Sequence, residues 1–553
     1  MNTVLRVICF TMLLSTFPSR AGAKDSTNAS VDFLLKTANE RIDSIRKAPV
    51  QIKVVDSEGK PVAGATVRVE QRRHSFLFGC NVYGLDQYEG EQQQLYAAQF
   101  SALFNYATLP FYWRMYEPEK GNTIWGYYHD KDLAQWCKAY QIETKGHPLV
   151  WHGVYPKWAP SDPDSTRDAL HQRIATIIPE FKSDIHRWEV VNEAVWGQTF
   201  TNGLGLWLKR DGPAKVVETA LQWAHEADPD AQLIYNDFDI GSEHQQLIEQ
   251  LVKDNAPFQI IGIQSHMHRG EWPLEKVWDT CERYSKFGKA VHFSEVTVLS
   301  GKHGWELSQP WPTTPEGERK QANYVEQLYT VLFSHPAIQA IAWWDLQDGA
   351  WQGAPSGLLR ADLTPKPAYD RLMKLIHETW WTRESLSSNE KGVCTFAGFL
   401  GDYEVTVQAG NISRTVKHTL VKGTNEWTIT LESQKNSNQP PTAPEPPNPY
   451  SAIKLDTKLL DVCVGHYEFA PNAISPTGVK LRIWREEDQL VGQTWGKNVL
   501  KDAFDIYPES ETNFFLKVDG AQLTFIKNDK GEVTAVIHHQ AGYPDVEGKK
   551  LNN

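Results

Sequence analysis

At 553 residues the chain is longer than one ordinary domain, and with 41% hydrophobic residues it has apolar material for more than one core. A formal net charge of −12 weighs against nucleic acid and anionic membrane as partners, because phosphate surfaces attract basic faces. The 21 Trp and 20 Tyr suit a ligand with flat, weakly polar C–H faces, such as a sugar, although large cores also use Trp.

The first residues read as an export signal. Arg6 supplies the positive start, residues 7–17 form an apolar run too short to span a bilayer, and Ala21-Gly22-Ala23 offers a cleavage site. Residues 1–23 are therefore expected to be a signal peptide and the mature protein to be secreted or periplasmic, with no membrane span. Cys9 falls in that signal. Cys80, Cys137, Cys281, Cys394 and Cys463 make no disulfide framework by number or spacing and read as small buried hydrophobes.

A polar helical lead-in over residues 30–47 precedes an apolar–polar alternation over 50–69, centred on Asp56-Ser57-Glu58-Gly59. This pattern predicts a β-hairpin, so residues 24–74 form an N-terminal helix and β-hairpin extension. Strand-like apolar runs follow at 76–82, 107–113, 143–151, 188–194, 232–239, 259–266, 291–298 and 338–345. Amphipathic stretches lie between them at 92–104, 130–140, 169–181, 214–227, 245–255, 274–287 and 321–333, and 367–381 adds a last helix. The alternation predicts an α/β fold, a closed (β/α)8 TIM barrel over 75–381. An open doubly wound sheet would want a Gly-rich phosphate turn after its first strand, which is missing. Residues 382–433 change to short alternating strands and read as a small β-module. Residues 434–450, rich in Pro, Asn, Ser and Gln, read as a stiff linker. Residues 451–553 read as a C-terminal β-rich domain with strands at 479–484, 514–518, 523–527 and 533–538.

Side chains at the C-terminal ends of barrel strands face the active site. Those positions hold His147 and Trp151 on strand three, Asn192 and Glu193 on strand four, and Tyr235, Asn236 and Asp237 on strand five. Gln264 and His266 follow on strand six, Glu295 on strand seven, and Trp343, Trp344 and Asp345 on strand eight. Polar groups ending apolar strands are costly unless satisfied, so their clustering at one rim argues for a shared site. Glycosidic hydrolysis needs two carboxyls flanking the anomeric carbon, one protonated and one ionised. Glu193 and Glu295 end strands on opposite sides of the ring. Either alone reads as a structural hydrogen-bonder; together they point to that chemistry.

Six ordered segments carry a resemblance: Lys145 to His152, Trp188 to Ala194, Tyr235 to Phe238, Gly262 to His266, Phe293 to Val296, and the pair Trp343 and Trp351. Over roughly residues 76–373 the chain resembles glycoside hydrolase family 10, best known for endo-β-1,4-xylanases. The resemblance implies a retaining hydrolase of xylan or xylo-oligosaccharides that needs no cofactor or metal. Glu295 would be the nucleophile and Glu193 the acid/base. Asn192 would hold the sugar 2-hydroxyl, and His266 would orient Glu295. Gln264, His147, Trp151 and Tyr235 would line the sugar, with Trp343 and Trp351 roofing it. Two departures stand out. Thr108, Leu109 and Tyr112 occupy places where the family typically has Glu, Asn and Lys for the second sugar on the non-reducing side, and Thr297 stands where it favours Asp. Another β-linked glycan or a short glycoside is therefore an alternative substrate.

Three other readings are weaker. His266-Met267-His268 resembles the His-x-His of metal-dependent amidohydrolase barrels, but that pair belongs on the first strand. A non-catalytic carbohydrate-binding barrel is disfavoured because both glutamates are present. Asn28-Ala29-Ser30 and Asn411-Ile412-Ser413 fit a glycosylation sequon that has meaning only on a eukaryotic secretory route. The tail from Asp461 on, notably around Phe504 to Thr512, resembles small β-domains appended to some secreted bacterial hydrolases, as a sugar-binding or a packing module.

Overall fold

The computed structural model describes residues 30–432 except 89, 124–127 and 305–310, and residues 455–551 except 470–478, 496–502, 517–520, 529 and 540–545. The expected signal peptide, the linker and the first two residues of the Asn28 sequon lie outside the described residues.

Eight parallel strands close into a barrel: β1 Leu77–Asn81, β2 Tyr106–Pro110, β3 Glu143–His147, β4 Arg187–Asn192, β5 Gln232–Asp237, β6 Ile260–Ile263, β7 Ala290–Val296 and β8 Ile338–Trp343. β8 closes the ring on β1, with Ala340 opposite Leu77 and Trp343 opposite Cys80. All eight coincide with the expected apolar runs, three of them starting one residue earlier (Tyr106, Arg187 and Ala290), because strands buried on both faces need no polar alternation. Helices Pro163–Phe181, Pro213–Ala227, Ser242–Lys253, Leu274–Ser285 and Pro315–Phe333 coat the outside. Large side chains on either face of the sheet fit only where a neighbour is small. A Cβ on Gly79 would lie 2.7 Å from the Tyr106 ring, and one on Gly146 would lie 2.2 Å from the Trp188 ring.

The helix Ala38–Arg46 is fastened near the N-terminal end of the barrel through Arg46. Arg46 donates to the carbonyls of Phe333, His335 and Ile338 and lies over the rings of Phe76 and Phe333. Among the described residues no helix is long and apolar enough to cross a membrane. Cys80, Cys137, Cys281, Cys394 and Cys463 are all free and buried.

The expected N-terminal hairpin is not one. The turn exists, with Asp56 N–H donating to the Lys60 carbonyl and Val62 N–H to that of Val54, but the chain then crosses between two sheets. Strand Lys47–Asp56 lies between Val393–Phe399 and Asn425–Leu431, whereas Thr66–His74 lies between Arg383–Ser387 and Gly401–Ala409. The two sheets share one core, including Ile52, Val54, Val67, Val69, Tyr403, Val405, Trp427 and Ile429. The N-terminal extension and the 382–433 module are thus halves of one β-sandwich. Alternation marks which face is buried, not which strand covers it.

Residues 455–551 form a second unit, a ring of eight antiparallel strands in chain order, closed by Gly465–Phe469 against Val546–Lys550. Its interior is filled by Tyr467, Leu481, Ile483, Phe514 and Phe525 among others.

A chain ending at residue 381 would leave Lys47–Asp56 and Thr66–His74 with bare edges and half a core. We expect it to aggregate on size-exclusion chromatography, whereas a chain ending at residue 432 elutes as a folded species with a cooperative melt.

Candidate active site

Backbone geometry at the strand ends turns the key side chains inward. Glu193, one residue past β4, has φ of 57°, and Ser265, after β6, has φ of 59°. Non-glycine residues hold this left-handed conformation only where the surroundings impose it, and such sites concentrate at functional positions. Glu193 N–H donates to the Asn236 carbonyl, which fixes the bend.

Asn236 on β5 is the hub. Its Nδ2 donates to Asn192 Oδ1 at 2.9 Å and to Glu295 Oε1 at 2.8 Å, while its Oδ1 accepts from Ser294 Oγ at 2.5 Å. A Cβ on Gly262 would sit 2.2 Å from that Oδ1, so glycine is needed there. Gln264 Nε2 bridges Asn192 Oδ1 at 3.0 Å and Glu193 Oε1 at 2.9 Å, and Asn192 Nδ2 reaches the same Glu193 oxygen at 3.2 Å. Three side-chain amides therefore connect the two carboxyls. On the far side of Glu295, His266 Nε2 lies 2.9 Å from Oε2.

Deeper in the ring Glu189 on β4 is fully buried. It takes Lys145 Nζ at 2.5 Å on one oxygen and His147 Nδ1 at 2.6 Å on the other. His147 Nδ1 is also 3.9 Å from Glu295 Oε1. Burial alone would raise the Glu189 carboxyl, but His147 and Lys145 bring it down to about 2. His147, Glu189 and Glu295 are close enough together to face one cation. Lys145 already supplies that positive charge, and both Glu189 oxygens are engaged.

The Glu193 carboxyl is pushed up to about 7, chiefly by burial, with the Glu295 charge adding to it and the Gln264 and Asn192 amides opposing. Burial also raises Glu295, against the pull of His147, Lys145 and Asn236. Two acids linked this closely titrate as a pair.

Aromatic rings form the walls. Trp351 stacks on His266 with centroids 4.9 Å apart and planes 6° apart. Trp344 meets His147 at 5.2 Å, His266 at 5.8 Å and Tyr83 at 5.8 Å. Tyr112 lies 5.3 Å from His147 and 5.6 Å from Trp151. Glu193, Glu295, Asn192, His147, Trp151, Gln264, His266 and Trp351 all belong to this cluster.

Two expected residues do not join it. Tyr235 is fully buried, donates to Asp237 Oδ2 at 2.7 Å and packs on His244, in the helix layer. Trp343 is fully buried and its Nε1 donates to the Ser356 carbonyl. Successive side chains on a strand point to opposite faces, so their neighbours Asn236 and Trp344 take the inner positions. Lys145 and Glu189 were missed as a pair, although a lysine and a glutamate inside otherwise apolar strands are the sequence mark of a buried ion pair.

The family model for glycosyl hydrolase family 10 matches residues 71–375, more than half of the chain. The chain belongs to glycosyl hydrolase family 10. It is 29% identical over 378 residues to anti-sigma-I factor RsgI6 of Acetivibrio thermocellus, a match spanning 67% of this chain and 46% of that protein. It is also 29% identical over 252 residues to endo-1,4-beta-xylanase B of Thermotoga neapolitana, spanning 42% of this chain and 69% of that protein. The chain therefore spans less than half the length of the first relative. Among solved structures, native xylanase 10B from Thermotoga maritima aligns with a TM-score of 0.48 at 25% identity, covering 55% of this chain and 96% of that one.

Glu189→Gln leaves the Lys145 ammonium buried without a counter-charge, which should cost about 3–5 kcal/mol in denaturant unfolding at pH 7. The Glu189 pKa is depressed in the folded chain, so its contribution is present above about 4.5 and lost as pH falls through about 2. The stability gap between wild type and variant should therefore narrow over that window.

Proposed function

We propose that the chain is a retaining glycosidase acting on β-1,4-linked xylan or xylo-oligosaccharides, with Glu295 as nucleophile and Glu193 as acid/base. The observation that carries this reading is the buried Glu295 and the part-buried Glu193 on opposite sides of one barrel rim, tied together by Asn192, Asn236 and Gln264. Family membership and the endo-1,4-beta-xylanase named among the relatives support the substrate.

A single proton held between the two acids suits the first step. Glu295 faces the Lys145 ammonium and the imidazoles of His147 and His266, which favour its charge. Glu193 faces amides and a His152 ring that burial keeps neutral, with its pKa down to about 3, so we assign the shared proton to Glu193. A Glu295 oxygen attacks the anomeric carbon, the glycosidic C–O bond breaks, and the Glu193 proton goes to the leaving oxygen. Esterification removes the Glu295 charge, and the ionised Glu193 then takes a proton from the water that displaces the ester. Asn192 stands where it can hold the 2-hydroxyl, while Trp151, Trp344 and Trp351 give the sugar its aromatic walls.

A second substrate reading, another β-linked glycan or a short glycoside, is favoured by one observation. Leu109 is fully buried, Thr108 is 1% exposed, and Tyr112 packs on His147 and Trp151, so these three positions offer little polar grip to a second sugar. The export signal and secretion to the periplasm or medium belong to the same proposal, since a polysaccharide substrate lies outside the cytoplasm. So does the division into a barrel over 75–381 and a separate domain from 451.

Glu295→Ala is expected to abolish hydrolysis of an aryl β-xylobioside, with azide restoring turnover as a glycosyl azide. Glu193→Ala should lose about 10²–10⁴-fold on unactivated substrates. Wild-type activity should fall as pH rises past about 7, because Glu193 must carry its proton. That limb should vanish in Glu193→Ala on a substrate with an activated leaving group. Unchanged turnover in Glu295→Ala would sink the assignment, and product analysis on xylan beside other β-glycans decides between the substrates.

A further inference from the structure

His266 has a second partner that limits what it can offer Glu295. Its Nε2 lies 2.9 Å from Glu295 Oε2 and its Nδ1 lies 2.7 Å from Thr297 Oγ1. Thr297 is fully buried and accepts the Met267 N–H at 2.8 Å, so the segments after β6 and β7 are held in register. The ring cannot turn freely, because Trp351 stacks flat on it and the edge of Trp344 meets it.

The proton positions follow from which groups can donate. An ionised carboxylate only accepts, so Nε2 must carry a hydrogen. In a neutral ring Nδ1 then bears a lone pair and needs a donor. The Thr297 hydroxyl supplies one, since the other acceptor in its reach, the Glu295 carbonyl, is 3.4 Å away. We propose that Thr297 is a positioning residue that fixes His266 as the neutral Nε2–H tautomer and so keeps a hydrogen-bond donor aimed at Glu295. A hydroxyl is uncharged and does nothing to favour an imidazolium, and burial alone brings His266 down to about 3. The nucleophile is thus steadied by a dipole instead of a cation. This inference rests on the reading of Glu295 as nucleophile.

Other ionisable groups around Glu295 are Lys145 and His147 on β3, Glu189 and Glu193 at β4, Asp345 after β8, and the phenols of Tyr83 and Tyr112. His268 is the other one coupled to His266. None of these stands at Nδ1, so changes at Thr297 address that atom alone.

The full-length protein carrying ¹⁵N-labelled histidine tests this directly. The His266 signals, assigned by their loss in His266→Gln, should report a protonated Nε2 and bare Nδ1 between about pH 7 and 9, where Glu295, itself raised to about 7, is ionised. An Nδ1–H tautomer or an imidazolium in that range overturns the proposal. With an aryl β-xylobioside, Thr297→Val should lower kcat about tenfold with KM little changed, as expected for one lost hydrogen bond, and Thr297→Ser should restore it. Thr297→Asp should allow a cationic ring beside Glu295 and move the acidic limb of kcat/KM to lower pH. A serine variant as impaired as valine, or an acidic limb that stays or rises in the aspartate variant, overturns it. Turnover surviving in Glu295→Ala would instead overturn the nucleophile assignment itself.

Discussion

A carboxyl taken out of water must find either a counter-charge or a proton, and the barrel interior applies this constraint to several acids at once. Glu189 meets it with a counter-charge, being gripped on both oxygens by Lys145 and His147. Because that ion pair is closed, Glu295 above it meets imidazole and amide hydrogens rather than an unbalanced second carboxylate. Burial pushes Glu193 toward the other answer, a proton, by raising its carboxyl to about 7. On the proposed reading, the difference between the two rim glutamates starts deeper in the ring, at Lys145, His147 and Glu189.

The amides are the second consequence. Asn192, Asn236 and Gln264 each donate from their NH₂ to an oxygen of the cluster, Asn236 and Gln264 twice. Such a network specifies its own geometry, because displacing one member strands a buried partner. The positive φ at Glu193 and the glycine at 262 are backbone concessions to it.

Much of this was legible in the sequence. Buried parallel strands are continuous apolar runs, so all eight were found, and polar residues ending them marked the rim. Pleat parity was harder to read. Tyr235 and Asn236, or Trp343 and Trp344, are adjacent, and only one of each pair can face inward. The pairing of β8 with β7 shifts register between Ile341 and Trp343, which blurs a count made from the strand's start. The sandwich was illegible for a different reason. Its alternating strands announce a buried face, but the partners of residues 47–74 lie beyond the whole barrel, and no local pattern names a partner at that distance.

That same distance governs how the chain can be made. The Ala65 N–H bonds to Ser388, 323 residues further on. At roughly 5–20 residues per second the early strands wait on the order of 20–70 s before their complement is synthesised. In that interval they present unpaired edges to anything nearby, and the loop to be closed contains an entire folded barrel. A closed ring holds its two ends side by side and so shortens the gap that the late strands must cross to reach the early ones.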